Sequence, residues 1–322
     1  MESTAGAAME KLTLCMDTLV TQIAHGEAAP SALESAQAEL FRIERLLNFY
    51  SDDSDIGRLN RAAGSGHVAL SPEAFALLTQ ARALAEATGG AFDPTVGPLV
   101  RAWRFARNNG SVPSGEELAR AACLVDYRDI QTGAACRSAG LRRPGQAVDL
   151  GGIAKGYVAD CIAATYRVAG VMSGLINAGG DIATVGSRPD GRPWRIGLQH
   201  PRKERGRWFA IIQSSGQAVA TSGDYERYHE VQGVRYHHLI DARTGYPAKS
   251  GLISVTVVAE RATDADAWAT AVFVLGRDAG IELIRRIGSA EAVLVAENGS
   301  VYISRSLRNR ARIGRIGRQV YF

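Results

Sequence analysis

Val148-Asp149-Leu150-Gly151-Gly152-Ile153-Ala154-Lys155-Gly156-Tyr157 sets an acid, a Gly-Gly turn and a lysine at the opening of a helical pattern that runs from Gly151 to Arg167. Paired glycines let backbone approach a ligand closely, and helix-start amides beside an ammonium attract phosphate. The spacing is neither GxxxxGK[ST] nor GxGxxG, so the phosphate-loop and dinucleotide-binding folds are not supported. A tight strand-to-helix turn with Lys155 in solvent fits the same letters, and both readings stand at this point.

Outward from this segment, three more helical patterns appear. Ser31 and Glu34 have capping-box spacing, and Leu33, Leu40, Ile43, Leu46 and Leu47 make an apolar stripe, which predicts a helix over 32–48. Ser71 as cap and Pro72 at the first helical position open a second, running through Phe75, Leu78, Ala81 and Leu84 to Gly89-Gly90. An Ala-rich pattern from Asp264 to Leu275 continues over Asp278 to Ile287 after Gly276. Alternating or β-branched runs predict strands at Gly174 to Ala178, Trp194 to Leu198, Phe209 to Ile212, Ile253 to Val258 and Ala292 to Ile303, the last folded at Asn298-Gly299. Without a regular βαβ beat, the pattern predicts an α+β fold of mixed, mostly antiparallel sheets packed with helices. The divisions expected are an N-terminal segment (1–30), one main domain (31–305) and a basic C-terminal tail (306–322). Residues 107–118 read as the best loop.

The chain has 322 residues, 46% hydrophobic and 22% charged, which excludes disorder and collagen-like repeats. No apolar run approaches the roughly 18–20 residues of a spanning helix. Thirty-seven Lys+Arg against thirty-three Asp+Glu give +4, with much of the excess between Arg305 and Arg318. Aromatic content of 7% and the lack of a basic groove argue against nucleic-acid binding. Cys15, Cys123, Cys136 and Cys161 lack CxxC spacing and read as mostly buried structural thiols. The N-terminus shows no basic and apolar signal pattern, and Cys15 is no lipid-attachment site, so the expected location is cytoplasmic.

Further candidates lie downstream. Asn177-Ala178-Gly179-Gly180-Asp181 follows an apolar strand and reads by itself as a β-turn. If residues 236–240 form a strand, His238 and Ile240 share one face and His237 takes the other, so only one histidine can serve a given site. A histidine near neutral pKa suits proton transfer, although an isolated one is more often structural. Asp264 and Asp266 open the Ala-rich helix. Asp266 and Thr270, four apart, share a helix face and can offer oxygens to a hard cation such as Mg²⁺. N-terminal charge on the helix dipole explains Asp264 well and Thr270 poorly.

Together these segments resemble the FAD:protein FMN transferase family, the ApbE-like flavin transferases. The resemblance runs in order through Cys15-Met16-Asp17-Thr18, Phe49-Tyr50 with Asp53-Ser54-Asp55-Ile56 and Leu59-Asn60, and Gly89-Gly90-Ala91-Phe92-Asp93-Pro94-Thr95-Val96-Gly97-Pro98-Leu99. It continues through Asp149 to Gly156, the Asn177–Asp181 turn, Ala220-Thr221-Ser222-Gly223, the His237-His238 run and Ala265 to Ala271. The family's usual Met-Gly-Thr reads Met16-Asp17-Thr18 here, and its Asp-Pro reads Asp241-Ala242.

The resemblance implies an ApbE-like fold and a Mg²⁺-dependent transfer of the FMN half of FAD to a Thr or Ser hydroxyl of a target flavoprotein, with AMP released. It implies Asp266, Thr270 and the Gly152 carbonyl as metal ligands, and His238 as general base with Asp241 orienting it. Asp149, Lys155, Met16, Tyr50 and the Ala91-Phe92-Asp93 segment would contact FAD, with Ile240 pressing on the same ligand. The acceptor expected is a protein of an electron-transfer system. A Mg²⁺-dependent FAD pyrophosphatase and a non-catalytic flavin-binding protein are the rival readings. Family members are usually exported and often lipid-anchored, which implies a periplasmic, membrane-anchored protein if the N-terminus is trimmed or export takes another route.

Overall fold

The computed structural model describes residues 8–109, 111–314 and 316–322. Its frame is a nine-stranded sheet whose neighbours follow in chain order: β1 (Met9–Cys15), β2 (Thr18–His25), β3 (Ser173–Ala178), β4 (Asp181–Val185), β5 (Ala218–Gly223), β6 (Leu252–Ala259), β7 (Glu291–Ala296), β8 (Val301–Ile303) and β9 (Gln319–Tyr321). Every pairing is antiparallel except the last, β8 with β9. The fold is therefore α+β, as the irregular order of patterns predicts.

Period-two geometry sends alternate sheet residues to opposite faces. Ala220, Val255, Val257 and Leu294 face a helical layer, while Val219, Val258, Val293 and Val295 face a small sheet of Trp194–Gln199, Trp208–Ser214 and Ala311–Ile313. With both faces covered, all eight residues of β6 are buried. The helices are α1 (Ala29–Leu47), α2 (Asp55–Arg61), α3 (Pro72–Ala87), α4 (Gly97–Asn109), α5 (Gly115–Ala122), α6 (Ala154–Val168), α7 (Ala262–Leu275) and α8 (Arg277–Ile287). None among the described residues is long and apolar enough to cross a membrane. The segment expected to lead into the main domain supplies β1 and β2, and the basic tail supplies Ala311–Ile313 and β9. Residues 1–7 and 315 of those two segments lie outside the described residues.

Several local expectations are corrected. α1 begins three residues early, at Ala29 with Pro30 in its first turn, and the capping box does not form: the Ser31 hydroxyl donates to the Ala28 carbonyl instead. The expected loop at 107–118 is invaded from both sides by α4 and α5, Ser114 capping the latter, while residue 110 lies outside the described residues. α6 starts at Ala154, because Gly151 and Gly152 are spent in the turn before it. Only Cys15 is fully buried, whereas Cys123 and Cys136 are exposed. By contrast the Ser71 cap, the break at Gly276 and the Asn298-Gly299 hairpin form as the sequence predicts.

Two devices position the site. The β1–β2 hairpin turns on Met16 (φ 54°) and Asp17 (φ 55°), both left-handed, so Asp17 takes a conformation that glycine adopts at lower cost. The second is the packing of α6 on α7. A side-chain carbon on Gly156 would overlap the Ala262 carbonyl, so only glycine lets the helices meet this closely. One turn further along α6, the Asp160 carboxylate caps α7, accepting the backbone N–H groups of Ala262 and Thr263, each at 2.9 Å, and the Thr263 hydroxyl at 2.6 Å. Loss of a capping side chain costs about 0.5–2 kcal/mol. Asp160→Ala is therefore expected to lower the urea midpoint by an amount equivalent to about 1–2 kcal/mol. An unchanged midpoint would mean that α7 does not depend on this cap.

Candidate active site

The strand register gathers the site at one end of the sheet. The Met16-Asp17 turn, the Gly179-Gly180 turn between β3 and β4, and the exit of β5 at Gly223 all lie at that end. The helix starts of α6 and α7 bring Lys155, Asp266 and Thr270 to β4 and β5.

Asp181, first residue of β4, is 1% exposed and Asp266 is 4% exposed. The Lys155 ammonium bonds to Asp181 and lies 3.6 Å from Asp266. The Gly156 N–H donates to the same Asp266 oxygen at 3.2 Å. Burial opposes the charge on Lys155, but the carboxylates of Asp181 and Asp266 outweigh it and hold the ammonium well above the ordinary lysine value. Burial, and then the Asp266 charge, push Asp181 up to about 7 against the pull of Lys155. Once Asp181 is ionised, two buried carboxylates facing one ammonium carry an excess negative charge. Such a site favours a cation.

The oxygens fit Mg²⁺. The Thr270 hydroxyl meets only the Ser222 hydroxyl, at 3.2 Å, among the described hydrogen bonds, and a side-chain carbon on Gly152 would lie 3.5 Å from it. Carboxylate and hydroxyl are hard oxygen donors, and the Gly152 backbone lies beside the hydroxyl. No three His, Cys, Asp or Glu side chains converge among the described residues. Mg²⁺ needs no such cage, since it keeps waters and substrate phosphates around one or two carboxylates.

Two of the segments expected to cradle FAD, Ala91–Asp93 and the Asp149 turn, are brought together as well. Val96 bridges Ala147, and the Asp149 N–H donates to Pro94 at 2.7 Å, laying the Ala91–Asp93 segment beside Asp149. The ring of buried Phe92 faces Gly152. Asn60 accepts from and donates to the Val148 backbone, at 2.7 and 2.9 Å, and so clamps the approach to the Gly-Gly turn. The Asp93 carboxylate accepts from Thr95 and Tyr127, and the Asp149 carboxylate from Gly151. Burial raises both acids, countered at Asp149 by the Gly151 N–H and then by Arg227 and Arg101. Half-buried Met16 accepts from Arg227 through its carbonyl, and Tyr50, about half exposed, packs its ring edge-on with Phe49.

The histidines diverge, although the strand expected over 236–240 ends at His237. His237 Nε2 donates to the Ala248 carbonyl at 3.1 Å, and its ring packs edge-on against buried Phe273. His238 Nδ1 donates to the Arg227 carbonyl at 3.2 Å. Desolvation of the His238 ring, and then the Arg227 guanidinium, push its pKa below the ordinary histidine value, opposed by the hydrogen bond to the Arg227 carbonyl. Asp241 was expected to orient this ring. Its carboxylate instead grips the backbone and guanidinium of Arg243, at 2.8–3.0 Å, and no hydrogen bond to His238 occurs among the described residues. Ile240 packs with Tyr236 on the Leu99–Trp103–Leu118 cluster. Two charged groups at the centre, Asp181 and Arg227, were not among the expected site residues. Asp181 could have been found as an acid following a Gly-Gly turn, while Arg227 carries no signal in the sequence.

A sequence model of the ApbE family matches residues 16–294. A FAD:protein FMN transferase of Klebsiella pneumoniae is 35% identical over 84% of this chain and 83% of its own length, and one of Treponema pallidum is 35% identical over 88% and 82%. The crystal structure of the ApbE protein of Thermotoga maritima superposes with a TM-score of 0.88 at 34% identity, covering 95% of this chain and all of that one. The flavin transferase ApbE of Vibrio cholerae gives 0.83 at 26% identity, over 94% of this chain and 99% of that one. By these relatives the protein is a transferase, and the chain belongs to the ApbE family.

Removing one member of a buried ion cluster leaves an uncompensated charge and costs about 3–5 kcal/mol. Lys155→Met is expected to destabilise the protein on that scale, and adding Asp181→Asn should recover part of the loss. Urea unfolding of both single variants and the double variant measures the coupling. Additive losses would show that Lys155 is not there to offset the two acids.

Proposed function

We propose that this chain transfers the FMN half of FAD to a Thr or Ser hydroxyl of a target protein, using Mg²⁺ and releasing AMP. The reading is supported by the packing of α6 on α7, which sets Gly152 beside Thr270 and gives Asp266 the Gly156 N–H, in a chain whose relatives bear the name FAD:protein FMN transferase. Asp266, Thr270 and the Gly152 carbonyl would hold the cation. Bound there, Mg²⁺ supplies neutralisation of charge on the pyrophosphate oxygens.

This chain's own residues do the remainder. His238, with its proton fixed on Nδ1, offers the Nε2 lone pair to the acceptor hydroxyl. The hydroxyl oxygen bonds to the phosphorus nearer the flavin as its proton passes to Nε2. The bond from that phosphorus to the bridging oxygen breaks, and AMP leaves with the oxygen. Met16, Tyr50, Ala91, Phe92, Asp93, Asp149 and Ile240 would contact FAD, and Lys155 holds the site's charge in balance. The acceptor is a protein of an electron-transfer system that presents an exposed Thr or Ser.

Incubation with FAD, Mg²⁺ and an acceptor domain should add the mass of FMN to the acceptor and release AMP. Free FMN without acceptor modification would indicate hydrolysis, and no turnover would sink the enzyme reading. Asp266→Ala should abolish transfer at limiting Mg²⁺, because it removes the one carboxylate among the three ligands.

His238→Ala should leave FAD and Mg²⁺ bound while transfer falls about a hundredfold to ten-thousandfold. His237→Ala should instead lower thermal stability with modest loss of rate, since that ring is packed on Phe273. The depressed pKa sets the pH dependence. The folded protein keeps His238 neutral at pH values where the unfolded chain, near 6.5, takes up a proton. Its contribution to stability is therefore lost as pH falls below 6.5. For the same reason the acid limb of kcat/KM should lie below 6.5. A limb centred at or above that value would contradict the assignment.

A further inference from the structure

Arg227 lies in the turn between β5 and the Tyr228–Val231 strand, and both of its ends are engaged. Its carbonyl accepts two bonds from His238, one from the backbone N–H at 3.0 Å and one from Nδ1 at 3.2 Å. Its guanidinium reaches across to the β1–β2 hairpin, where Nη2 donates to the carbonyl of Asp17 at 3.0 Å and to that of Met16 at 3.4 Å. No carboxylate forms a salt bridge with it among the described residues. The hairpin turn is itself tied to α1, the Met16 N–H donating to Glu44 Oε1 at 2.7 Å. One residue thus connects the turn on the flavin side of the site to the base on the acceptor side.

The chemistry of that connection is specific. A carbonyl oxygen can only accept, so the bond requires hydrogen on His238 Nδ1. A neutral imidazole then has its lone pair on Nε2. Histidine bases are commonly fixed in this way by a carboxylate or a backbone carbonyl. Here the carboxylate in the neighbourhood, Asp241, is taken by Arg243, and the duty falls to the Arg227 carbonyl. That carbonyl is held on one side by the His238 backbone N–H, and the guanidinium bonds to Met16 and Asp17 tie the turn that carries it to the β1–β2 hairpin.

We propose that Arg227 is the positioning residue of the general base: by anchoring its own backbone to the Met16-Asp17 turn, it fixes His238 as the Nδ1–H tautomer with Nε2 open to the acceptor hydroxyl. The proposal rests on the reading of His238 as base, and its test has a readout that does not depend on turnover.

The full chain, labelled with ¹⁵N-histidine, is observed by two-bond ¹H–¹⁵N correlation, which distinguishes the two neutral tautomers. In the unaltered protein His238 should show the Nδ1–H pattern alone. Arg227→Ala should give mixed tautomers, and kcat should fall about ten- to hundredfold, the usual cost of losing a group that orients a functional histidine. The FAD dissociation constant should change less than kcat. Arg227→Lys, which keeps one donor toward the turn, should retain the Nδ1–H pattern and most of the rate.

A proton on Nε2 in the unaltered protein overturns the proposal, whatever the variants do and even if Arg227→Ala fails to fold. So does an Arg227→Ala variant that loses stability while keeping a single Nδ1–H tautomer and full kcat, since that marks a purely structural role. If the tautomer follows the proposal but His238→Ala transfers at the full rate, the anchoring stands and the assignment of the base falls.

Discussion

The Ala262 carbonyl at the start of α7 lies where a side chain on residue 156 would begin, and that contact sets the distance between two helices on which the site depends. With glycine at 156, the first turn of α6 meets the first turn of α7 directly. The Gly156 N–H then reaches Asp266, Lys155 comes between Asp181 and Asp266, and Gly152 lies against Thr270. A larger residue would push the helices apart and separate Asp266, Thr270 and Gly152, the three groups proposed to hold the cation. Asp160 reinforces the contact from one turn away by satisfying the first amides of α7, which would otherwise lack partners.

The sheet supplies the second half of the geometry. Because its strands run in chain order, successive turns fall alternately at its two ends, and those after β1 and β3, with the exit from β5, share one end. Met16, Asp181 and Arg227 are far apart in sequence and close in space for that reason. The small sheet covers the opposite face and leaves this end to the helices. Burial there makes the charges strongly interacting, as the raised Asp181 and Lys155 values reflect.

Local signals in the sequence carried what is locally determined. Ser71-Pro72, Gly276 and Asn298-Gly299 act on their own neighbours, and each formed the cap, break or turn expected. That Asp266 and Thr270 lie on one helix face was legible because i and i+4 share a face whatever the tertiary fold. The β1–β2 hairpin was not, since Met16-Asp17 lacks the glycine that usually marks a turn with two left-handed residues. Ser31 failed as a cap because Pro30 already suits the first turn of a helix beginning earlier. Lys155 could not be resolved between a solvated and a ligand-facing group, as its partner Asp181 arrives from β4. The same limit hid Arg227 and misassigned Asp241: whether an arginine grips a neighbouring acid or a distant carbonyl is decided only once the chain has folded.

The direct test is a crystal structure of this protein with FAD and Mn²⁺ in place of Mg²⁺, the metal located by its anomalous scattering. The account predicts a single strong peak where α6 meets α7, with Asp266, Thr270 and the Gly152 carbonyl oxygen all coordinated, each at about 2.0–2.3 Å. A peak away from these three groups, or Lys155 still between the acids with no metal bound in the presence of FAD, would contradict it.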